Sequence, residues 1–329
     1  MKILFIGGTG TISSACSQLA LAKGYDLTLL NRGQTDRPIP TGARCVQADI
    51  RQPDTVRAAL NKETFDVVVN WITFTPEQVE SDLALFRERT GQYIFISSAS
   101  VYRKPALLPI TESTPVGNPH WAYSRDKIAC EARLNQAYHD EGFPVTIVRP
   151  SHTYDERMLP MYGRYTVIDR MRRGQPVIVH GDGTSLWTLT HHTDFARGFV
   201  GLLGNPRTIG ETFHITSDEL LTWNEIFTTL GRAAGVEPQL VHIPSDIIAT
   251  FDAHWGASLL GDKAHSVIFD NRKIKNLVPD YTATIPFAQG AREIITWHAA
   301  DPVRQHVDPI AKALFGQLLA WRIRDGINE

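Results

Sequence analysis

Cysteine is scarce in this chain: Cys16, Cys45 and Cys130 are the only three in 329 residues. An odd number, widely spread and without metal-type spacing, excludes a disulfide framework and reads as buried free thiols with no chemistry of their own. An excess of one charge is missing too, with 33 basic against 35 acidic residues. That balance leaves no field for holding nucleic acid or an anionic membrane surface, and neither is expected as a partner. No apolar run reaches the roughly 18 residues of a membrane span, and the N-terminus lacks the charged-then-apolar layout of a signal peptide. A cytoplasmic protein is expected. Internal repeats and low-complexity segments are absent as well, which leaves a hydrophobic fraction of 43% to build one substantial core with an appendage.

What is present is organised around residues 2–13. The unbroken apolar run from Ile3 to Ile6 has the pattern of a strand buried on both faces of a parallel sheet, and it runs straight into Gly7-Gly8-Thr9-Gly10. Gly7 allows a tight turn and Gly10 a close backbone approach to a pyrophosphate, which the free N–H groups of the following helix, residues 14–23, would face. The third glycine position of such a site holds Ser13, small enough to keep helix and strand close.

The alternation continues along the chain. Strands are expected at 26–30, at 42–48 leading to Asp49-Ile50, at 65–71, at 92–96 and at 144–149, with helices starting at Pro53 and at a capping box of Thr75 and Gln78. A long helix over about 121–141 carries Tyr123 and Lys127, four apart and so on one face. A lysine there stabilises the phenolate and lowers a tyrosine pKa that is normally about 10, which suits the hydroxyl for exchanging a proton with a substrate alcohol or carbonyl. Ser98, at a strand end, can hydrogen-bond the same oxygen. After Pro150 the rhythm lapses; a helix at 194–203, a strand at 211–215 and a helix capped by Thr222 and Glu225 bring the chain back to the sheet, and 239–329 reads as mostly helical. The expected division is a dinucleotide-binding domain over 1–150, with a return around 190–235, and a substrate lobe over 151–329.

In order along the chain, Gly7-x-x-Gly10-x-x-Ser13, Asp49-Ile50, Ser98 four residues before Tyr102, Tyr123-x-x-x-Lys127, Arg149-Pro150 and Gly181-Asp182-Gly183-Thr184 resemble an extended short-chain dehydrogenase/reductase, of the NAD(P)-dependent epimerase/dehydratase family. The resemblance covers most of the chain, strongly to about residue 200 and weakly beyond 240. It implies an α/β fold, a doubly wound parallel sheet of Rossmann type with seven strands and a smaller mixed C-terminal substrate lobe. It also implies that Gly7, Gly10, Thr11 and Ile12 hold the pyrophosphate, that Asp49 and Ile50 hold the adenine, and that Ser98, Tyr123 and Lys127 are the catalytic set. Lys127 would also hold the nicotinamide ribose, with Pro150 and His152 near the nicotinamide. A homodimer through a bundle containing the tyrosine-bearing helix is implied by the resemblance alone.

Four departures shape the reading. NAD-preferring members carry an acid at the end of the second strand, where this chain has Asn31 and Arg32; Arg32 can pair with a 2′-phosphate, so NADP is favoured and NAD remains possible. The Asp-Glu pair of dehydratases is Ala99-Ser100 here, which argues against dehydration. The arginine that clamps a diphosphate in sugar-nucleotide enzymes is replaced by Trp187, expected against an apolar face of an uncharged or weakly charged substrate, unless His152, Arg157 or Arg164 supplies the missing charge. Last, Thr190-His191-His192-Thr193-Asp194 places two histidines beside a carboxylate, but neighbours on a strand point to opposite faces, and no metal is expected. The leading function is hydride transfer between a nicotinamide and a hydroxyl or carbonyl carbon of a sugar-like or other small molecule. The alternatives are a nucleotide-sugar epimerase, a non-catalytic NAD(P)-binding protein, and an RNA-binding relative, the last through partial similarity to chloroplast stem-loop-binding proteins.

Overall fold

The computed structural model describes residues 1–325; of the stretch read as helical over 239–329, positions 326–329 lie outside the described residues. Strand β1 (Lys2–Ile6) has Ile3, Leu4, Phe5 and Ile6 all inaccessible to solvent. Successive side chains go opposite ways: Ile3 and Phe5 join Leu27, Leu29 and Phe199 on one face, Leu4 and Ile6 join Leu30, Leu83 and Leu134 on the other. A strand covered on both sides must be apolar at every position, and each such side chain contributes about 1.5–3 kcal/mol by leaving water.

Strands β2 (Asp26–Asn31), β3 (Arg44–Gln47), β4 (Phe65–Asn70), β5 (Thr90–Ile96) and β6 (Val145–Pro150) join β1 and the later strand Thr212–Ile215 in a seven-stranded sheet. From one edge its order is Thr212–Ile215, β6, β5, β4, β1, β2, β3, with every pair parallel. Helix α1 (Thr11–Ala22) and the helix His192–Val200 cover one face; α2 (Pro53–Leu60), α3 (Pro76–Phe86) and α4 (Ala122–Glu141) cover the other. The order reverses between β1 and β4, the place where a ligand sits at the carboxyl ends of such a sheet.

A third apolar core gathers Trp187, Trp223, Trp255, Phe287 and Phe315. Around it lie three two-stranded pairings: His152–Tyr154 with Leu189–His191, Leu186–Trp187 with Leu221–Thr222, and Val177–His180 with Leu240–Ile243. The tail is helical, ending in Phe287–Ala299 and Pro309–Asp325.

Several local expectations need correction. Helix α1 begins at Thr11 rather than at residue 14, because the Ser13 side chain already serves the Gly10 N–H and completes the first turn. The Thr75 hydroxyl makes no cap bond; Gln78 Oε1 instead accepts the Phe74 N–H at 2.7 Å. The Thr222–Glu225 box is present as expected. Cys45 is exposed, since β3 is an edge strand, while Cys16 and Cys130 are buried.

Candidate active site

The glycine turn is built by close approach. Gly7 has φ +83°, and a Cβ there would lie 2.9 Å from Ile72 Cγ2; a Cβ on Gly8 would lie 2.5 Å from Leu29 Cδ2. Ser13 does more than stay small: its Oγ accepts the Gly10 N–H at 2.7 Å and donates to the Gly7 carbonyl at 2.8 Å, tying the two ends of the turn together. Thr11 and Ile12 follow as the first residues of α1, whose opening N–H groups have no partner within the helix. Asn31 is buried, and its amide reaches Thr9 Oγ1 at 3.5 Å.

A cavity of about 380 Å³ opens here, lined by Gly7, Gly10, Asn31, Arg32, Ala48 and Ile50 among others. Arg32 is exposed, and among the described residues no carboxylate pairs with its guanidinium. Asp49 does not line this cavity: its carboxylate turns back to accept the Arg51 N–H at 3.0 Å, closing its own turn, and Ala48 and Ile50 form the wall instead. A backbone cradle that tolerates no Cβ, a free helix N-terminus and an unpaired guanidinium together fit the phosphates and adenosine of a dinucleotide.

A second cavity of about 390 Å³ lies at the carboxyl ends of β5 and β6, and it brings together Ile12, Ser98, Tyr123, Lys127, Pro150, His152 and Trp187. The Tyr123 ring sits between Trp121, with centroids 4.9 Å apart, and Phe74 at 6.4 Å. Burial raises the Tyr123 pKa, and a hydrogen bond with Ser98 works against that rise. Behind Ser98 runs a chain of hydroxyls that the sequence reading missed: Ser98 Oγ is 2.9 Å from Ser100 Oγ, and Ser124 Oγ donates to Ser100 Oγ at 2.7 Å.

Lys127 is buried, and its Nζ donates to the carbonyls of Thr73 at 2.6 Å and Ile96 at 2.7 Å. Burial lowers its pKa to about 7. Its Nζ lies 4.6 Å from the Phe74 ring centroid but 5.9 Å from that of Tyr123. The expected lowering of the Tyr123 pKa by Lys127 is therefore not met in this structure, because the ammonium is directed at main-chain carbonyls and the phenol is desolvated.

Trp71, Ser97 and Thr188 are among the residues lining this cavity, and each has a side-chain polar atom buried without a partner: Nε1, Oγ and Oγ1.

On the far wall the Trp187 indole donates to His152 Nδ1 at 3.1 Å, and Trp187 packs against Trp223 with centroids 5.5 Å apart. His152 is thus engaged with the lobe, and burial, helped by nearby Lys263, lowers its pKa to about 3. Beside Trp187 are three charged residues that no motif announced: Lys104, Asp262 and Lys263. Lys104 pairs with Asp262, and Lys104 and Lys263 bring their Nζ atoms to 5.6 and 5.9 Å from the Trp187 ring. The cation thought to be lacking at position 187 is supplied from elsewhere in the chain, which removes the ground for expecting an uncharged substrate. Arg157 and Arg164 do not supply it. Arg157 pairs with Asp36 at 3.2 Å, and Arg164 lines a different cavity next to Trp255. At the adjacent histidines, His191 ends a strand and His192 starts a helix, so their rings lie 4.7 Å apart rather than on opposite faces. His191 bonds Glu293 at 2.9 Å, and among the described residues no three metal-binding side chains cluster.

The family model described as the NAD dependent epimerase/dehydratase family matches residues 3–216. The chain belongs to that family. It is 28% identical over 260 residues to the chloroplast stem-loop binding protein of 41 kDa b of Arabidopsis thaliana, covering 73% of this chain and 65% of that protein, less than two thirds of its length. It is 24% identical over 295 residues to the 2′-dehydrokanamycin reductase of Streptomyces kanamyceticus, covering 85% of this chain and 80% of the reductase. Among solved structures, the UDP-glucose 4-epimerase of Bifidobacterium longum in complex with NAD+ and UDP superposes with a TM-score of 0.75 at 18% identity, covering 92% of this chain and 99% of that one, a likeness of fold.

Proposed function

We propose that this protein is an NADP-using oxidoreductase or epimerase that moves hydride to or from a hydroxyl or carbonyl carbon of a small, sugar-like molecule, with Tyr123 as the acid/base group. Residues 1–150 with the strand Thr212–Ile215 would form the cofactor half and residues 151–329 the substrate lobe. The observation that carries the reading is the meeting of Ser98, Tyr123, Lys127, Ile12 and Pro150 in one cavity.

Bound across the glycine turn, a nicotinamide cofactor would supply the hydride. Gly7, Gly10, Thr11 and Ile12 would hold its pyrophosphate, with Asn31 and Arg32 at the adenosine ribose and Ile50 at the adenine. Ser98 Oγ would hydrogen-bond the reacting oxygen of the substrate while Tyr123 Oη gives it a proton or takes one. With the Tyr123 pKa raised by burial, the phenol is the form held at neutral pH, which suits it to donate a proton to a carbonyl oxygen. Arg32, unpaired among the described residues, supports NADP over NAD, since a 2′-phosphate would give its guanidinium the partner it lacks.

Unfolding the purified protein and identifying any released nucleotide tests this reading. Tightly held NAD would select an epimerase, an empty site that binds NADPH a reductase, and a protein that neither carries nor binds a nicotinamide nucleotide would refute both.

A further inference from the structure

The two lysines beside Trp187 are built in. Lys104 and Asp262 form an ion pair with only 3% and 10% of their side chains exposed, and Lys263 Nζ lies 4.0 Å from the same carboxylate. Asp262 is the only acid lining the cavity among the described residues, against three lysines, of which Lys127 already serves two carbonyls. Burial pushes both amines down, Lys263 to about 8 and Lys104, which also faces Lys263, well below the usual lysine range, while contact with the Asp262 carboxylate favours the Lys104 ammonium; with Asp262 taken by Lys104, Lys263 is the cation left without a full partner. Lys263 has no other carboxylate in reach among the described residues; its Nζ faces the ring of Trp121 at 4.9 Å and that of Trp187 at 5.9 Å.

The backbone below Lys263 is pinned. Its carbonyl oxygen accepts bonds from Trp223 Nε1 at 3.2 Å and Ser185 Oγ at 3.2 Å and lies 3.1 Å from His180 Nε2, while Asn118 holds the neighbouring Gly261 carbonyl at 2.8 Å. The turn itself, Leu259–Lys263, is a π-helix, a distortion that proteins keep mainly at functional sites. Those bonds fix the main chain at Lys263, whose side chain is 19% exposed, and a mostly enclosed ammonium without a full partner is costly.

We propose that Lys263, seated against the faces of Trp121 and Trp187, binds with Lys104 an anionic group, a carboxylate or a phosphate, on the substrate whose carbinol or carbonyl meets Tyr123. This rests on the hydride-transfer reading above and narrows its substrate class to acidic or phosphorylated small molecules. An anion at Lys263 gives the surplus ammonium its counter-charge and leaves the Lys104–Asp262 pair intact. A cationic aminosugar would instead meet two ammonium groups and find its only carboxylate already paired.

Calorimetric titration of the full chain with inorganic phosphate, gluconate, glucose and kanamycin, each with and without NADPH, tests the site. Phosphate or gluconate should bind, glucose more weakly, and kanamycin not at all. Tighter binding of phosphate would indicate a phosphorylated substrate, tighter binding of gluconate a sugar acid. Lys263→Met should weaken the better anion by about tenfold or more while NADPH affinity holds, a loss typical of one charge-assisted contact. Asp262→Asn should tighten it, because a competing carboxylate is removed; a merely structural role would weaken both variants alike. Equal anion affinity in Lys263→Met and parent, or kanamycin bound in preference to gluconate, would overturn the proposal. A protein that neither carries nor binds a nicotinamide nucleotide strikes at hydride transfer, whereas absence of anion binding with and without NADPH overturns this site alone.

Discussion

The two walls of the catalytic cavity are made differently. On the sheet side, the parts come from neighbours in sequence: Ser97 and Ser98 follow directly on β5, and Tyr123 and Lys127 share one helix face. On the lobe side, Trp187, Lys104 and Lys263 come from a short strand, a loop and a π-helical turn far apart in the chain. The first wall is set by backbone geometry and short spacings, the second by packing between distant segments. A catalytic apparatus of the first kind is shared easily among relatives with different substrates, while a wall of the second kind can change residue by residue and so choose the substrate.

The difference can be pressed from both sides. The largest effect is expected from Tyr123→Phe on the sheet side. The ring keeps its packing against Trp121 and Phe74, so cofactor affinity should hold while turnover falls about 10²–10⁴-fold, the usual share of an acid–base group. Steady-state rates beside cofactor titration separate the two, and unchanged turnover would take Tyr123 out of the chemistry. Arg32→Ala should come next, weakening NADP by about 1.5–3 kcal/mol, roughly ten-fold to more than a hundred-fold, and leaving NAD untouched. Parallel dissociation constants for both cofactors read this, and an equal loss for both would show that Arg32 does not meet a 2′-phosphate.

On the lobe side, Trp187→Phe keeps most of the packing but removes the indole N–H from His152. A buried acceptor left unsatisfied costs about 1–3 kcal/mol, which chemical denaturation should register without any change in NADP affinity. A loss of cofactor affinity as well would mean that the two walls are not separable. The smallest effect is expected far from both, at Glu63, which bonds Arg44 and Lys2 at 2.7 Å each. Those contacts, Arg44 first, hold its carboxyl at about 2, so its stabilisation is full above a pH of about 4.5 and is lost as pH falls toward 2. Being a quarter exposed, the pair is screened, and Glu63→Gln should cost under about 1 kcal/mol at neutral pH and nothing near pH 2.

The same contrast explains what could be read from the sequence. The apolar run of β1, the glycine turn and the i, i+4 pair of Tyr123 and Lys127 are local, and local patterns survive in one dimension. At Asp49 the sequence could not show that an acid at a strand end also closes its own turn, with Oδ1 accepting the Arg51 N–H. The pKa of Tyr123 was misjudged because spacing shows that Lys127 is near but not that two carbonyls claim its protons. Ser100 was legible only as part of the missing acidic pair and Ser124, on α4, not at all, although a run of serines at a strand end can wire a hydroxyl chain. Lys104 and Lys263 carried no signal at all, since only the packed lobe brings a proline-rich loop against a distorted helical turn.

The most direct measurement is a calorimetric titration of the purified chain with NADPH and, in parallel, NADH. If the glycine turn, Arg32 and the Tyr123 cavity together form a working NADP site, NADPH binds one per chain and at least about tenfold more tightly than NADH. Absence of binding by both nucleotides, in protein that releases no nicotinamide nucleotide on unfolding, would contradict hydride transfer as the function of this protein.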